Sequence, residues 1–189
     1  METNLWKWLN LRVCPWWLRG VLDNSLRRLI QEPERILSGL VAPGQVVADI
    51  GCGIGYFTIP LARLVGPQGR VLAIDLQETM LAGVQRRAAK VGLSERIQLC
   101  RATPTGFGVE EPVDFALTFF MIHEVPDQKH FLEEIHSLLK PGGRWLLTEP
   151  PVHVTAAAFA KTVALADATG FSLLSRPRIA FSHTALFLK

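Results

Sequence analysis

The sequence predicts an α/β fold: a seven-stranded sheet, mostly parallel, that ends in a carboxy-terminal antiparallel hairpin. Three observations carry this reading. Short apolar runs alternate with longer amphipathic ones, the pattern of strand and crossover helix. The short runs are apolar throughout instead of alternating with polar residues, as strands buried on both faces are. The last two runs stand only a few residues apart, too close for a parallel crossover, so they form a hairpin.

Taken in order, QVVADI (45–50), RVLAID (70–75), RIQLC (96–100), VDFALTFF (113–120) and GRWLLTE (143–149) are the central strands. Between them YFTIPLARLV, QETMLAGVQRRAAKVG and DQKHFLEEIHSLLK carry apolar residues at three- and four-residue spacing. Gly66, Gly92 and the pair Gly142 and Gly143 stand where these helices should stop. VTAAAFAKTVALADATG reads as a further helix, and FSLLSRP and HTALFLK as the closing hairpin.

Composition bounds what the chain can be. At 189 residues, 49% hydrophobic and 20% charged, it can bury a sizeable core. The net charge of +3 is scattered among acids, which argues against nucleic acid as the main partner. Cys14, Cys52 and Cys100 lack metal-ligand spacing and suit free thiols in a reducing, cytoplasmic compartment. Residues 1–35 read as a helical, Trp-rich cap before the main domain, 36–189. Four of the five tryptophans lie there with Lys7, Arg12 and Arg19, and these charges interrupt every apolar stretch, so neither a membrane span nor a secretion signal is expected. Packing onto the protein's own body explains the tryptophans, and contact with a membrane surface is the alternative. The oligomeric state is not written in the sequence.

The informative stretch is VVADIGCGIGYFTIP, Val46 to Pro60. A strand closes in Asp49, and Gly51, Gly53 and Gly55 lead into a helix, leaving room for a ligand against bare backbone. The next strand closes in Asp75, placed to accept hydrogen bonds from a ribose diol. The glycine turn followed by this acid implies a nucleoside. A dinucleotide site would carry a third glycine where Tyr56 stands, so NAD fits poorly.

The order Asp, Gly, Cys, Gly, x, Gly resembles motif I of the class I methyltransferases that use S-adenosylmethionine. LAID, VDFALTFFMIHEV and LLKPGGRWLLTEP extend the resemblance in the family's order, over roughly residues 36–189, to the small-molecule group that includes the ubiquinone and menaquinone type. The resemblance implies a Rossmann-like, doubly wound sheet and methyl transfer from S-adenosyl-L-methionine to a small-molecule acceptor, with S-adenosyl-L-homocysteine as product. Asp49 and the backbone of Gly51, Cys52 and Gly53 would meet the methionine end, Asp75 the ribose and Leu76 the adenine ring, whose far edge Arg101 and Ala102 would border. Phe119 would face the cofactor and Phe120 the acceptor. Many relatives place an Asp after the third strand to accept from the adenine amino group. CRATPT offers Arg101, which cannot accept, so a backbone carbonyl or Thr103 would have to serve.

The sulfonium makes the methyl group electrophilic, so few catalytic side chains are needed. A phenol, alcohol or amine acceptor needs a base, and His123 and Glu149, at strand ends, are the candidates. Orientation of the loop by His123 and Glu124 is the other reading. Cys52 reads as a small filler under the loop and not as a nucleophile. His130 and His136 are six residues apart, which does not place them on one helix face, and no metal is expected. For the acceptor, Trp16 and Trp17 would form an aromatic wall, with core packing the equal alternative, and PPVHVTAAAFAK is the other segment available. Two rival functions stand beside this one: methylation of a protein or nucleic acid, and an inactive cofactor-binding partner subunit.

Overall fold

The computed structural model describes residues 31–103 and 105–189. Cys14, Trp16, Trp17 and nearly all of the expected cap, 1–35, lie outside them. Seven strands form one sheet in the order β3-β2-β1-β4-β5-β7-β6. They are β1 Val46–Ile50, β2 Arg70–Asp75, β3 Ile97–Arg101, β4 Val113–Phe119, β5 Leu139–Glu149, β6 Ser172–Ser175 and β7 His183–Leu188. The first five run parallel, and β7 lies antiparallel between β5 and β6, so the closing hairpin is present as expected.

The helices are α1 Pro33–Leu37, α2 Thr58–Leu64, α3 Glu78–Lys90, α4 Gln128–Leu138 and α5 Ala156–Ala168. Asp127 and Thr155 cap α4 and α5 by accepting from the backbone N–H groups of His130 and Ala158. Side chains alternate across the sheet, so Val47, Val71, Leu117 and Leu146 pack against α1 and α2 on one face. Ala48, Leu72, Ala116 and Trp145 meet α4 and α5 on the other. Trp145, fully buried, donates its indole N–H to Thr118 Oγ1 at 2.9 Å, which satisfies the polar atom its burial would otherwise strand.

One expectation fails in detail. The pair Gly142 and Gly143 is not a turn outside the fifth strand, because β5 already begins at Leu139. Leu139 pairs with Val113 and Arg144 with Phe115, and the residues between them form an irregular, bulged stretch. Gly142 supplies the left-handed conformation there, at φ 77°. Lys189 then pairs with the bulge, donating its N–H to Gly143 O at 2.9 Å and accepting from Gly142 N–H.

At the carboxyl end of β1, Asp49 is 3% exposed and accepts from Thr58 Oγ1 at 2.6 Å. This bond fastens the first residue of α2 beneath the glycine loop. Burial pushes the Asp49 carboxyl up to about 7; the Thr58 bond opposes the rise and the charge of Asp75 adds to it. Between about pH 4 and pH 7 the folded chain therefore holds a proton that the unfolded chain releases, and stability falls as pH rises through that window. Asp49→Asn removes the ionisation. Urea unfolding at pH 4 and pH 8 should show the variant gaining on the order of 3 kcal/mol relative to wild type across that range. A constant difference would mean that Asp49 ionises freely in the folded chain.

Candidate functional site

Strand order reverses beside β1: β2 and β3 lie to one side of it, β4 and β5 to the other. The loops leaving the carboxyl ends therefore diverge and open a crevice. A cavity of about 560 Å³ fills it, within the range of small-molecule sites.

Its near wall is the glycine loop. Gly51 and Gly53 sit at φ 73° and 53°, and a Cβ on Gly51 would come within 2.9 Å of Met121 Cγ. The loop's N–H groups are largely engaged: those of Gly51 and Cys52 donate to Ile74 O, at 2.8 and 3.1 Å, and that of Gly53 donates to Asp75 Oδ2 at 2.9 Å. At these positions the loop contributes room and not a row of free donors. Cys52 also lines the cavity, but burial, with the charges of Asp49 and Asp75, pushes its thiol well above the ordinary range, so it is a filler and not a nucleophile. Asp49 does not border the cavity. Its carboxylate is turned beneath the loop to Thr58, which corrects the expectation of direct contact with a ligand.

Asp75 is on the cavity wall, 9% exposed. Its two oxygens accept from Gly53 N–H and, at 2.8 Å, from Gln77 N–H, and each keeps a further lone pair. Burial lifts its pKa above the ordinary value, and these backbone donors hold the rise back. Leu76 follows with 37% of its surface exposed, into the cavity. Beyond β3, Ala102 and Thr103 border the space, whereas Arg101 does not. The Arg101 side chain turns to Glu78 of α3, with Nη1 3.2 Å from Oε2.

At the opposite end, Phe119 and Phe120 line the cavity with ring centroids 4.4 Å apart. Phe120 has φ 62°, a conformation that a bulky residue rarely adopts outside functional sites. The chain then makes a short 3-10 turn, Ile122–Glu124, which Glu149 holds. Glu149 is 2% exposed, and its carboxylate accepts from Ile122 N–H at 2.8 Å and from His123 Nδ1 at 2.5 Å. A carboxylate only accepts, so Nδ1 carries the hydrogen, and in the neutral imidazole Nε2 holds the lone pair. Burial pulls the imidazole pKa down, but the hydrogen bond and charge of Glu149, with Glu124, outweigh it and raise the pKa above 6.5. His123 and His153 both border the cavity, with their rings stacked 7° from parallel at 5.4 Å.

The structure thus brings together Gly51, Cys52, Gly53, Asp75, Leu76, Ala102, Phe119, Phe120 and His123 around one space, with Glu149 directly behind His123. Trp16 and Trp17 lie outside the described residues. Sequence reasoning missed Phe107, Met121, Glu134 and His153 as wall residues. The signal for His153 was present, since PPVHV was left over for the acceptor; Glu134 sits in an ordinary amphipathic helix and gave none. Among the described residues no group of three or more His, Cys, Asp and Glu side chains could hold a metal ion, and no helix is long and apolar enough to cross a membrane. An adenosyl sulfonium fits the walls: spare acceptors on Asp75, an apolar slot beside Leu76, and no Cβ at Gly51 or Gly53 to fill the space between.

Comparison with known proteins agrees with this fit. Residues 47–143, more than half of the chain, match the methyltransferase domain family. A demethylmenaquinone methyltransferase of Bacillus cytotoxicus is 34% identical over 120 residues, covering 63% of this chain and 49% of that protein. The chain spans about half the length of the curated relatives it matches. Among solved structures, a SAM-dependent methyltransferase from Aquifex aeolicus superposes with a TM-score of 0.83 at 22% identity, covering 93% of this chain and 99% of that one. A SAM-dependent O-methyltransferase of Thermotoga maritima gives 0.66 at 24% identity, covering 84% and 64%. At these identities the structural likeness is one of fold. The family match establishes that the chain belongs to the methyltransferase domain family.

Proposed function

We propose that the chain transfers a methyl group from S-adenosylmethionine to a small aromatic acceptor with an ionisable hydroxyl, of the quinol kind. The observation that carries the reading is the pairing of two chemistries in one cavity: a glycine loop bonded to Asp75 at one end, and an imidazole backed by a buried carboxylate at the other. The acceptor class rests on the resemblance to demethylmenaquinone methyltransferases and on the apolar wall of Phe119, Phe120 and Met121.

When bound, S-adenosylmethionine supplies a methyl group on a cationic sulfur with a neutral thioether as leaving group. The chain's own residues position and deprotonate. Asp75 accepts from the ribose hydroxyls, and Leu76 lies against the base. Nε2 of His123 takes the proton of the acceptor hydroxyl, leaving electron density on the oxygen and the adjacent ring carbon, either of which can receive the methyl group. Glu149 fixes the tautomer of His123 and stabilises the imidazolium that results. The phenylalanine walls exclude water. Trp16 and Trp17 join the same reading as acceptor-side cover, because the chain enters the described fold at Gln31, whose carbonyl accepts from Tyr56 Oη on the cavity rim.

Calorimetry tests the cofactor half. The chain should bind S-adenosylhomocysteine, and Asp75→Asn should weaken binding by about 10- to 100-fold, the loss of a charge-assisted hydrogen-bond pair; unchanged affinity would remove Asp75 from the site. Steady-state rates with a quinol acceptor test the other half. Because His123 must be neutral to act, kcat/KM should rise with pH to a plateau with a midpoint above 6.5. In Glu149→Gln the burial remains without the carboxylate, so the midpoint should move down and the plateau should fall. His123→Gln should cost about 100-fold, and a loss under about threefold would leave His123 structural.

A further inference from the structure

One carboxylate on the cavity wall has no partner among the described residues. Glu134, in the middle of α4, is half-buried and lines the space together with Thr103 and Phe107. No hydrogen bond or ion pair joins it to any described residue. Its placement is specific: Oε1 stands 2.8 Å from where a Cβ on Gly106 would lie, so the absent side chain at 106 is what admits the carboxylate to this position. The other polar groups at this end have partners. Arg101 is turned away to Glu78, Thr103 Oγ1 meets Thr105 Oγ1 at 3.1 Å, and both oxygens of Asp75 hold backbone N–H groups. His130, one turn earlier on α4, also borders the cavity but makes no bond to Glu134.

A carboxylate accepts and never donates, and removing it from water without a donor is costly. Apolar side chains share this wall: Leu76, Met80, Ala102 and Phe107. Such apolar walls suit a flat ring, and the Glu134 carboxylate among them calls for an N–H at the ring's edge. We propose that Glu134 accepts from the exocyclic amino group of the adenine and so makes the site selective for adenosyl over inosyl ligands. The inference rests on the cofactor reading above and deepens it. It moves the base-reading role from the loop after β3, whose acids Glu110 and Glu111 do not line the cavity, to the helix after β4.

Hypoxanthine tests this directly, because it replaces the amino group with a carbonyl oxygen that a carboxylate repels. Calorimetry on the full chain would compare S-adenosylhomocysteine with S-inosylhomocysteine. Wild type should prefer the adenosyl compound by on the order of 100-fold. In Glu134→Gln, nearly the same shape but able to donate as well as accept, the preference should fall below about tenfold. Gly106→Ala should erode it too without touching the acid, since the new Cβ meets only the mobile end of Glu134 and displaces it while the fold is kept. An undiminished preference in both variants would overturn the role of Glu134 and leave the cofactor reading standing. Failure of the wild type to bind either nucleoside would overturn both.

Discussion

The reversal of strand order beside β1 is the constraint from which the rest of the structure follows. β2 leaves β1 on one side and β4 returns on the other, so the crossover helices pack on opposite faces and nothing covers the strand ends between them. Much of the cavity wall comes from residues at or just past a carboxyl end: the glycine loop after β1, Asp75 and Leu76 at β2, Ala102 after β3 and Phe119 at β4, with α4 adding His130 and Glu134. In-register pairing of β1 with both β2 and β4 sets these ends at one level, which is why residues far apart in the chain share one cavity.

Three buried acids stand at this edge, and their partners give them different tasks. Asp49 receives a side-chain hydroxyl and no cavity surface, so it serves the loop's foundation. Asp75 receives two backbone N–H groups at the cavity wall and keeps further lone pairs. Glu149 receives one backbone N–H and one imidazole, which couples the turn after β4 to the last residue of β5 and aims His123. The turn is fastened a second time by Gln128, which donates to Ile122 O and accepts from Thr162 of α5. Two independent anchors are what a short turn needs to hold an imidazole within a fraction of an ångström of a working position.

The methyltransferase family uses the sheet as a fixed platform, and this chain varies what stands around it. Phe120, held at φ 62°, and the stacked pair His123 and His153 give the acceptor end a flat, partly polar character. Glu134 gives the opposite end its one unpartnered charge. The two ends of the cavity thus owe their character to different elements, the turn after β4 and the middle of α4.

Much of this was legible in the chain itself. Apolar runs long enough to be buried on both faces, with helical spacing between them, determine the order of elements, because the periods of 2 and 3.6 are properties of the backbone. Asp49, the glycines and Asp75 announce a nucleoside site, since that spacing places backbone and acid at adjacent strand ends. Tertiary structure alone decided which acids face the cavity: Asp49 turned under the loop, Arg101 turned out to Glu78, and Glu134 turned in from a helix with no motif. It also decided that Lys140 to Gly143 are a bulge in β5, because pairing with Val113 and Lys189 draws them into the sheet. The physical reason is common to all four. Periodicity and spacing are local, whereas the direction a side chain takes at a strand end or on a helix face depends on which partners from elsewhere in the chain are there to satisfy it.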